Sequence, residues 1–308
     1  MRVLIAGGAG FLGSYLSERF VAEGHDVHIL DNFASGLKKN IENIVDKITL
    51  LEEDVTVFKT DERYDVVLNF ASRASRLEWE RYPVDVALSN AVGSKNLIEV
   101  ALRCNALYVY ASSSEIYGDP KVIPTPEDYV GCVSTTSSRS PYDEGKRFGE
   151  ALTKAYARQY GLRNIIIRFF NTYGPRMRGG DFYGRVIDRF VQQAMHNEPI
   201  TVYGDGSQTR SFTYVSDTTD GVIALIKQGK EGQVYNIGNY SETSILELAK
   251  LVKRLTKSDS EICFKTIPEN DPKRRAADIT KIKQLGWNPK ISLENGIKTI
   301  IKVRKIIY

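Results

Sequence analysis

The sequence has few cysteines and no long apolar run. Its 308 residues include only Cys104, Cys132 and Cys263, an odd number without CxxC spacing, which argues against a disulfide framework and for a reducing compartment without a metal site. No apolar run is long enough to span a bilayer. The first residues enter a strand directly, without a charged and then apolar leader. We therefore expect a cytoplasmic protein with no metal and no membrane partner.

A strong excess of charge is also absent. The net charge is +4, which is too small to predict a nucleic-acid partner. Hydrophobic residues make up 42% of the chain and charged residues 26%, as is typical of a soluble globular protein. No internal repeat or low-complexity linker interrupts the sequence. Its length predicts one large domain or two closely joined ones.

A glycine-rich loop follows the first predicted strand. The strand covers 2–6, the loop reads Gly-Gly-Ala-Gly-Phe-Leu-Gly over 7–13, a helix covers 14–23, and a second strand over 25–30 ends before Asp31. Glycines let the backbone approach a pyrophosphate, and the helix N-terminus offers it N–H groups and positive potential. Asp31 is suited to the adenosine ribose and disfavours a 2′-phosphate. The sequence therefore predicts NAD rather than NADP.

Other loops at the same predicted sheet edge extend the cofactor site. A strand over 48–52 precedes Asp54, which is suited either to the adenine amine or simply to a turn. A strand over 64–70 precedes small residues, which allow a cofactor close to the backbone. Lys38 and Lys39 are the only nearby residues that argue for NADP. The predicted cofactor-binding residues are Gly7, Gly10, Phe11, Leu12, Gly13, Asp31, Asn32, Asp54, Val55, Ala71, Tyr142 and Lys146.

The alternation of predicted strands and helices indicates a fold of the α/β class with a doubly wound parallel Rossmann sheet. A long helix is predicted over 83–103 and a buried strand over 107–111. The loop-rich stretch over 119–140 follows the predicted active edge, as substrate lids often do. Another strand over 164–169 is followed by a basic segment. The chain thus brings several loops to one edge of the predicted sheet, where ligands bind in such folds.

A serine, a tyrosine and a lysine form the predicted catalytic set. Ser113 follows the buried strand, and Tyr142 and Lys146 are four residues apart on one face of a helix predicted over 142–160. An ammonium beside a phenol lowers the phenol pKa from ~10. Such a set removes a proton from a sugar or alcohol hydroxyl while a cofactor takes the hydride. Tyr-x-x-x-Lys alone is equally compatible with a solvated helix pair, and its context favours the catalytic interpretation.

Several runs together identify a family resemblance. They are Ser114-Glu-Ile-Tyr-Gly-Asp-Pro120, Arg139-Ser-Pro-Tyr-Asp-Glu-Gly-Lys-Arg147, Phe170-Asn-Thr-Tyr-Gly-Pro-Arg-Met177, Val202-Tyr-Gly-Asp-Gly-Ser-Gln-Thr-Arg210 and Asp271-Pro-Lys-Arg-Arg275. Over nearly the whole chain, the sequence resembles the extended short-chain dehydrogenase/reductase superfamily, and within it the UDP-glucuronate decarboxylases (UDP-xylose synthases). The resemblance implies an NAD-binding Rossmann domain over 1–171 and 213–238. It also implies a smaller α+β domain for the nucleotide sugar over 172–212 and 239–308.

The resemblance also implies roles for single residues. Tyr142 is the base, Lys146 its partner and Ser113 the hydroxyl relay, while Glu115 and Ser114 face C5 and the carboxylate of the sugar. The implied reaction is NAD-dependent decarboxylation of UDP-glucuronate to UDP-xylose through a 4-keto intermediate. Homodimers of the superfamily form through a four-helix bundle, which implies the helices over 84–103 and 142–160. The implied substrate-binding residues are Arg139, Asn171, Arg176, Arg185, Tyr203, Arg210 and Arg275.

Two loops depart from the decarboxylase pattern. The usual Ser-Pro-Ala-Ser-Pro loop is Ser72-Arg-Ala-Ser-Arg76, and the usual lid sequence is replaced over 134–138. Because both loops touch the sugar in the family, a nucleotide-sugar 4-epimerase stays open as an alternative. A 4,6-dehydratase fits less well, since the Asp of its Thr-Asp-Glu motif is replaced by Ser114. A non-catalytic NAD-binding regulator on the same fold is a further class, against which the intact Ser–Tyr–Lys set argues.

Overall fold

A parallel sheet of seven strands forms the centre of the fold, which confirms the predicted α/β class. The computed structural model describes residues 1–178, 186–266 and 273–307. The strand order in this sheet is β11-β6-β5-β4-β1-β2-β3, with shorter strands in smaller sheets. The strands are β1 (Arg2–Ala6), β2 (Asp26–Leu30), β3 (Ile48–Leu51), β4 (Val66–Asn69), β5 (Leu107–Ser113), β6 (Asn164–Phe169), β7 (Thr172–Tyr173), β8 (Ile200–Tyr203), β9 (Thr209–Ser211), β10 (Thr213–Tyr214), β11 (Gln233–Ile237), β12 (Glu242–Ser244), β13 (Ile262–Lys265) and β14 (Arg274–Arg275).

The register of the central sheet brings the functional loops to one edge. In β1, Ala6 pairs with Leu30 of β2 and with Asn69 of β4, and Asn69 pairs in turn with Tyr110 of β5. All four residues of β4 and all seven of β5 are buried, as expected for parallel strands covered on both faces. The glycine loop and the loops after β2, β4 and β5 therefore leave the sheet at the same edge.

Helices cover the faces of the central sheet and also make up much of the rest of the described chain. One predicted helix, over 83–103, is divided, because a π-helical turn over Ser89–Gly93 separates α3 from α4. Two short 3₁₀ segments, Lys38–Lys47 and Ser114–Tyr117, were not predicted. The α-helices are α1 (Phe11–Ala22), α2 (Arg76–Arg81), α3 (Pro83–Leu88), α4 (Ser94–Cys104), α5 (Ser140–Tyr160), α6 (Val186–Met195), α7 (Val215–Gln228), α8 (Ile245–Thr256), α9 (Thr280–Lys283) and α10 (Leu293–Ile307).

The chain divides into two compact units, each made of separate stretches. Unit 1 contains 1–116, 133–168 and 219–235, and unit 2 contains 117–132, 169–218 and 236–308. Each unit has a core of its own, built around the central sheet in unit 1 and around α6, α8 and α10 in unit 2.

The observed bounds differ from the predicted ones mainly at 117–132, which was predicted to belong with the Rossmann domain. This stretch belongs to unit 2 because Thr125 pairs with Ala277 and its carbonyl accepts from Asn236 Nδ2 at 2.9 Å. The Tyr117 hydroxyl likewise donates to Asn236 Oδ1 at 2.9 Å. The assignment of the units to NAD and to a nucleotide sugar stays a prediction.

Within the three described ranges, no helix is both long enough and apolar enough to cross a membrane.

Candidate active site

The glycine loop takes a path that only glycine allows. Gly7 has φ +78°, and a Cβ there would lie 2.6 Å from the Phe70 carbonyl oxygen. A Cβ on Gly13 would lie 2.0 Å from the carbonyl oxygen of Gly7. Gly10 N donates to Gly7 O at 3.0 Å and closes the turn, and α1 then begins at Phe11. Phe11, Leu12 and Gly13 form the first turn of this helix, whose N-terminal N–H groups and dipole favour an anion.

A cleft of about 800 Å³, its open mouth included, lies beside this loop in unit 1. The cleft is lined by seven of the residues predicted to bind the cofactor, together with residues from the stretch after β4 and from α3. Those seven are Gly7, Gly10, Asp31, Asn32, Asp54, Val55 and Ala71. The structure therefore brings the predicted cofactor residues of four loops together.

Asp31 is almost completely buried at the end of β2. Its Oδ2 accepts from Ala9 N at 2.9 Å and its Oδ1 from Phe33 N at 2.9 Å. Burial raises the pKa of this carboxyl, while the two backbone N–H groups oppose the shift. The carboxylate is thus fixed between the glycine loop and the loop after β2, where it can also accept from the hydroxyls of a ribose.

Asp54 takes part in a turn, which was one of its two predicted roles. Its Oδ1 accepts from the Thr56 backbone N–H at 2.8 Å and from the Thr56 hydroxyl at 2.6 Å, and its Oδ2 accepts from Asn32 Nδ2 at 2.6 Å. Burial favours the neutral acid, but these hydrogen bonds and the charge of Arg73 lower the pKa of Asp54. The ionised carboxylate fixes the side chain of Asn32 at the wall of the cleft.

The residues of the cleft fit a dinucleotide. The backbone at Gly7 and Gly13 has no room for a Cβ, the start of α1 provides a binding site for phosphate, and Asp31 stands at the ribose position of the motif. The geometry and the sequence pattern therefore agree on a dinucleotide as the type of ligand that suits this cleft.

Ser113, Tyr142 and Lys146 come together as predicted. Ser113 ends β5, and its hydroxyl interacts with the phenol of Tyr142. Lys146 lies one helical turn further along α5, with Nζ 5.6 Å from the centre of the Tyr142 ring. The ammonium donates to the Ala111 carbonyl at 2.8 Å and lies 5.2 Å from the ring centre of Tyr110. Ser114 follows as the first residue of the 3₁₀ turn and is buried.

The predicted lowering of the Tyr142 pKa is wrong, because burial outweighs the other influences on the phenol. Burial raises the pKa of Tyr142 well above its ordinary value, with Ser113 opposing the shift and Glu115 adding to it. Lys146 Nζ donates to the Ala111 carbonyl, and burial lowers the pKa of Lys146 itself to about 7. A phenol in this surrounding is neutral and a donor, so it needs an added positive charge nearby to act as a base.

Glu115, which was predicted to face the sugar carboxylate, forms a mostly buried ion pair with Arg139, which was predicted to bind the substrate. Arg139 Nε also lies 3.5 Å from Asp143 Oδ2, one turn further along α5. The guanidinium is 5.4 Å from the ring centre of Trp79. Glu115, Arg139 and the phenol of Tyr142 thus form one cluster. Within it, Glu115 partly neutralises the charge of Arg139.

Sequence reasoning missed two neighbours of the catalytic tyrosine. Trp79 stacks on the Tyr142 ring, with centroids 4.4 Å apart and planes 15° apart. Behind Lys146, Glu150 accepts from Ser112 Oγ at 2.5 Å and from Arg168 at 2.7 and 2.9 Å. Glu150 follows Lys146 by four residues, so the helical spacing that identified Tyr142 and Lys146 could also have identified it. No sequence signal marked Trp79.

The predicted substrate-binding residues of unit 2 fall into smaller groups. Arg210 and Arg275 are both buried and face each other in the register of β9 and β14. Asn171 Nδ2 donates to Ser211 O at 3.0 Å, next to Arg210. Tyr203 packs against Arg189, an arginine that was not predicted. Arg176 adopts φ +67° at the end of its motif, and Arg185 lies outside the described residues.

The buried ammonium of Lys146 predicts a pH-dependent stability. Its pKa is about 7 when folded and ~10.4 when unfolded, so the unfolded chain binds more protons between these values. The free energy of unfolding of the wild type should therefore rise with pH in this window, relative to Lys146→Met, and the difference should be constant below it. Denaturant titrations at several pH values measure this. If wild type and Lys146→Met differed by the same free energy of unfolding at every pH, the prediction would be contradicted. In the control variant Lys250→Met, at an exposed lysine, the free energy of unfolding should follow that of the wild type at every pH.

Residues 3–238 match the NAD dependent epimerase/dehydratase family, which is more than half of the chain. The chain belongs to this family. This family member is 42% identical to UDP-glucuronic acid decarboxylase 1 of Xenopus tropicalis over 308 residues, which cover 99% of this chain and 72% of that protein. It is 41% identical to UDP-glucuronic acid decarboxylase 4 of Arabidopsis thaliana, with 98% and 68% covered. The predicted resemblance to the decarboxylases is thereby confirmed.

Two solved structures show how widely the fold of this epimerase/dehydratase is shared. The UDP-glucose 4-epimerase of Thermotoga maritima, solved with UDP-glucose, has a TM-score of 0.91 at 30% identity and covers both chains completely. The UDP-glucuronic acid 4-epimerase of Bacillus cereus, solved with UDP-glucuronic acid and NAD, has a TM-score of 0.89 at 27% identity, again with both chains covered. The fold is thus shared with two 4-epimerases that were solved with different UDP-sugars.

Proposed function

We propose that this protein converts UDP-glucuronate to UDP-xylose and CO₂, as an NAD-dependent decarboxylase. Identity of about 42% to UDP-glucuronic acid decarboxylases over nearly the whole chain supports the substrate. The observation that carries the chemistry is the cluster in which Glu115 and Arg139 act on the phenol of Tyr142. An acid and a guanidinium beside the catalytic tyrosine suit a reaction in which a carboxylate leaves.

The proposed cofactor is NAD, held in the cleft of unit 1. The glycine loop and the start of α1 bind its diphosphate, Asp31 binds the adenosine ribose, and Asn32, Asp54, Val55 and Ala71 form the walls. When bound, NAD would supply hydride transfer from and back to C4′, and the positive charge of its oxidised form would favour loss of a nearby phenol proton. Tyr142 and Lys146 complete the site at the end of β5.

Tyr142 is the group that exchanges protons with the O4′ oxygen. In the first step its phenolate takes the C4′ hydroxyl proton, which Ser113 helps to transfer. The resulting 4-ketone makes the C6 carboxylate part of a β-keto acid, from which CO₂ leaves. The electrons move to the ketone oxygen as an enolate, which Tyr142 and Ser113 stabilise by donating hydrogen bonds. Protonation at C5 and return of the hydride then give the pentose.

Glu115 has a role that depends on its pairing with Arg139. A carboxylate fully paired with Arg139 would be stabilised in the ground state and would leave slowly. Because Glu115 already occupies part of the guanidinium, the substrate carboxylate is oriented without being held strongly. Glu115 also provides the proton carrier closest to C5 in this proposal. Unit 2 supplies the nucleotide-sugar contacts, which we assign to Asn171, Arg176, Arg185, Tyr203, Arg210 and Arg275.

A 4-epimerase is the second candidate, because the solved structures of similar fold include 4-epimerases that match the whole chain. It would use Tyr142, Lys146 and Ser113 in the same way but would rotate the ketone. The two candidates are separated by incubating the protein with NAD⁺ and UDP-glucuronate. We expect CO₂ and a UDP-pentose in equal amounts. Formation of UDP-galacturonate without CO₂ would favour the epimerase.

We propose a homodimer formed through α3, α4 and α5. Several large apolar side chains on these helices and on the π-helical turn are exposed, and a second copy would bury them. Phe148→Lys should therefore convert a dimer into a monomer in light scattering, whereas Val45→Lys, at an exposed apolar residue of another segment, should not. A wild-type monomer would contradict the proposal. The exposed residues are Val84, Val92, Phe148 and Tyr160.

We propose the cytoplasm as the compartment. Cys104, Cys132 and Cys263 are free thiols, as is usual in a reducing environment. UDP-sugars as substrates are compatible with this location, and the proposal includes no nucleic-acid or membrane partner.

A further inference from the structure

Arg73 is a charged residue in the wall of the cofactor cleft, and the proposed chemistry gives it no role. It follows β4 within the stretch that departs from the decarboxylase pattern, and it lines the same cleft as Gly7 and Gly10. Only 17% of its side chain is exposed. A guanidinium so largely removed from water needs partners, and it is a strong ligand for anions.

The protein holds one end of this guanidinium firmly. Arg73 Nη1 donates to Glu78 Oε1 at 3.1 Å and to Ala34 O at 3.4 Å. Ala34 lines the cleft in the loop after β2, and Glu78 belongs to α2, so two separate elements hold Arg73. The planar group also stacks 4.3 Å from the centre of the Tyr82 ring. These contacts fix its orientation before any ligand binds.

The other edge of the guanidinium keeps its donors available. Among the described residues, Arg73 Nε and Nη2 make no hydrogen bond, and the nearest carboxylate oxygen, of Asp85, is 3.9 Å from Nη2. Nε and Nη2 together form one side of the planar fork, which matches two oxygens of a phosphate group. Neither nitrogen is a fully buried atom without a partner, so both are accessible to a ligand in the cleft.

We propose that Arg73 binds phosphate oxygens of the diphosphate of the bound dinucleotide and thereby bridges the cleft over it. The inference rests on the proposed function only in taking NAD as the ligand. The glycine loop and the start of α1 serve the same diphosphate from the other side. Phosphate at the 2′ position is the other source of such oxygens, but the fixed carboxylate of Asp31 repels it.

The test is calorimetric binding to protein freed of nucleotide, with NAD⁺, NADP⁺ and adenosine as ligands. Arg73→Met should raise the Kd for NAD⁺ by about ten- to a hundredfold, as expected for a lost charged hydrogen bond, and leave adenosine binding unchanged. The salt dependence of NAD⁺ binding should also become weaker. Arg73→Lys keeps the charge without the fork and should be intermediate. The control is Arg81→Met, at an exposed arginine that ends α2. Its affinity for NAD⁺ should match that of the wild type.

Three outcomes would overturn the inference. Equal NAD⁺ affinity in Arg73→Met and wild type would show that Arg73 makes no contact with the diphosphate. Equal losses for adenosine and NAD⁺ indicate that Arg73 only supports the cleft wall, and a loss confined to NADP⁺ assigns it to the 2′-phosphate. The proposed function is judged separately, by CO₂ release from UDP-glucuronate by the wild type. A wild type that binds no NAD⁺ would contradict the cofactor and leave Arg73 without its ligand.

Discussion

Tyr142→Phe should lower the rate of CO₂ release from UDP-glucuronate by about 10³-fold, within the range that positioned acid–base groups contribute. The hydroxyl is lost but the ring still stacks on Trp79, since that contact uses the face of the ring. Binding of UDP-glucuronate and NAD⁺ should therefore stay within about twofold of wild type, because the phenol is not needed for folding. Turnover is followed by CO₂ release and affinity by calorimetry.

A matched control for this variant is Tyr156→Phe. Tyr156 lies on the same helix, α5, and its hydroxyl donates to Glu99 at 3.3 Å in an exposed pair. Its removal should leave turnover unchanged. Near-normal turnover in Tyr142→Phe would remove the proposed acid–base mechanism altogether. Loss of turnover together with loss of nucleotide binding would instead indicate damage to the site.

Glu115→Gln should slow CO₂ release by about 10²-fold while leaving the first oxidation intact. Two effects act in the same direction: the proton carrier at C5 is lost, and Arg139 is freed to pair with the substrate carboxylate and stabilise it in the ground state. In a single turnover, NADH absorbance should therefore appear and persist. Stopped-flow absorbance and quenched CO₂ assays measure the two steps separately.

Glu144→Gln is the control for Glu115→Gln, because Glu144 is a more exposed acid of α5 whose partner, Arg147, is 3.8 Å away. It should behave as wild type. If Glu115→Gln releases CO₂ at the normal rate, the acid has no part in carbon–carbon cleavage. If it fails to form NADH at all, Glu115 acts in the oxidation or in positioning Tyr142.

The cofactor half of the site was predictable because its residues are tied to local sequence patterns. The glycine loop, Asp31 and the turn at Asp54 each follow a strand, and strands of a parallel sheet end at one edge. The spacing of Tyr142 and Lys146 is also local, since it depends only on the helical repeat. The interruption of the helix over 83–103 was not predicted, because no proline follows Pro83 within this stretch to mark a break.

The surroundings of the catalytic residues were less predictable, because they depend on contacts distant in sequence. Trp79 lies on the short helix α2, which was not predicted from the sequence. Its contact with Tyr142 was therefore not predicted either. The raised pKa of Tyr142 follows from burial, which spacing alone does not reveal. Glu115 and Arg139 were both assigned to the substrate, and their pairing with each other depends on how the 3₁₀ turn after β5 meets the start of α5.

The central claim is best tested with UDP-glucuronate carrying ¹³C at C6 and deuterium at C4′, incubated with the purified protein and NAD⁺ and followed by NMR. The account predicts ¹³CO₂, together with UDP-xylose that retains deuterium at C4′, because the hydride removed there returns in the same site. In heavy water, the unlabelled substrate should gain one deuterium at C5. The account is contradicted if ¹³C stays in the sugar while the configuration at C4′ inverts.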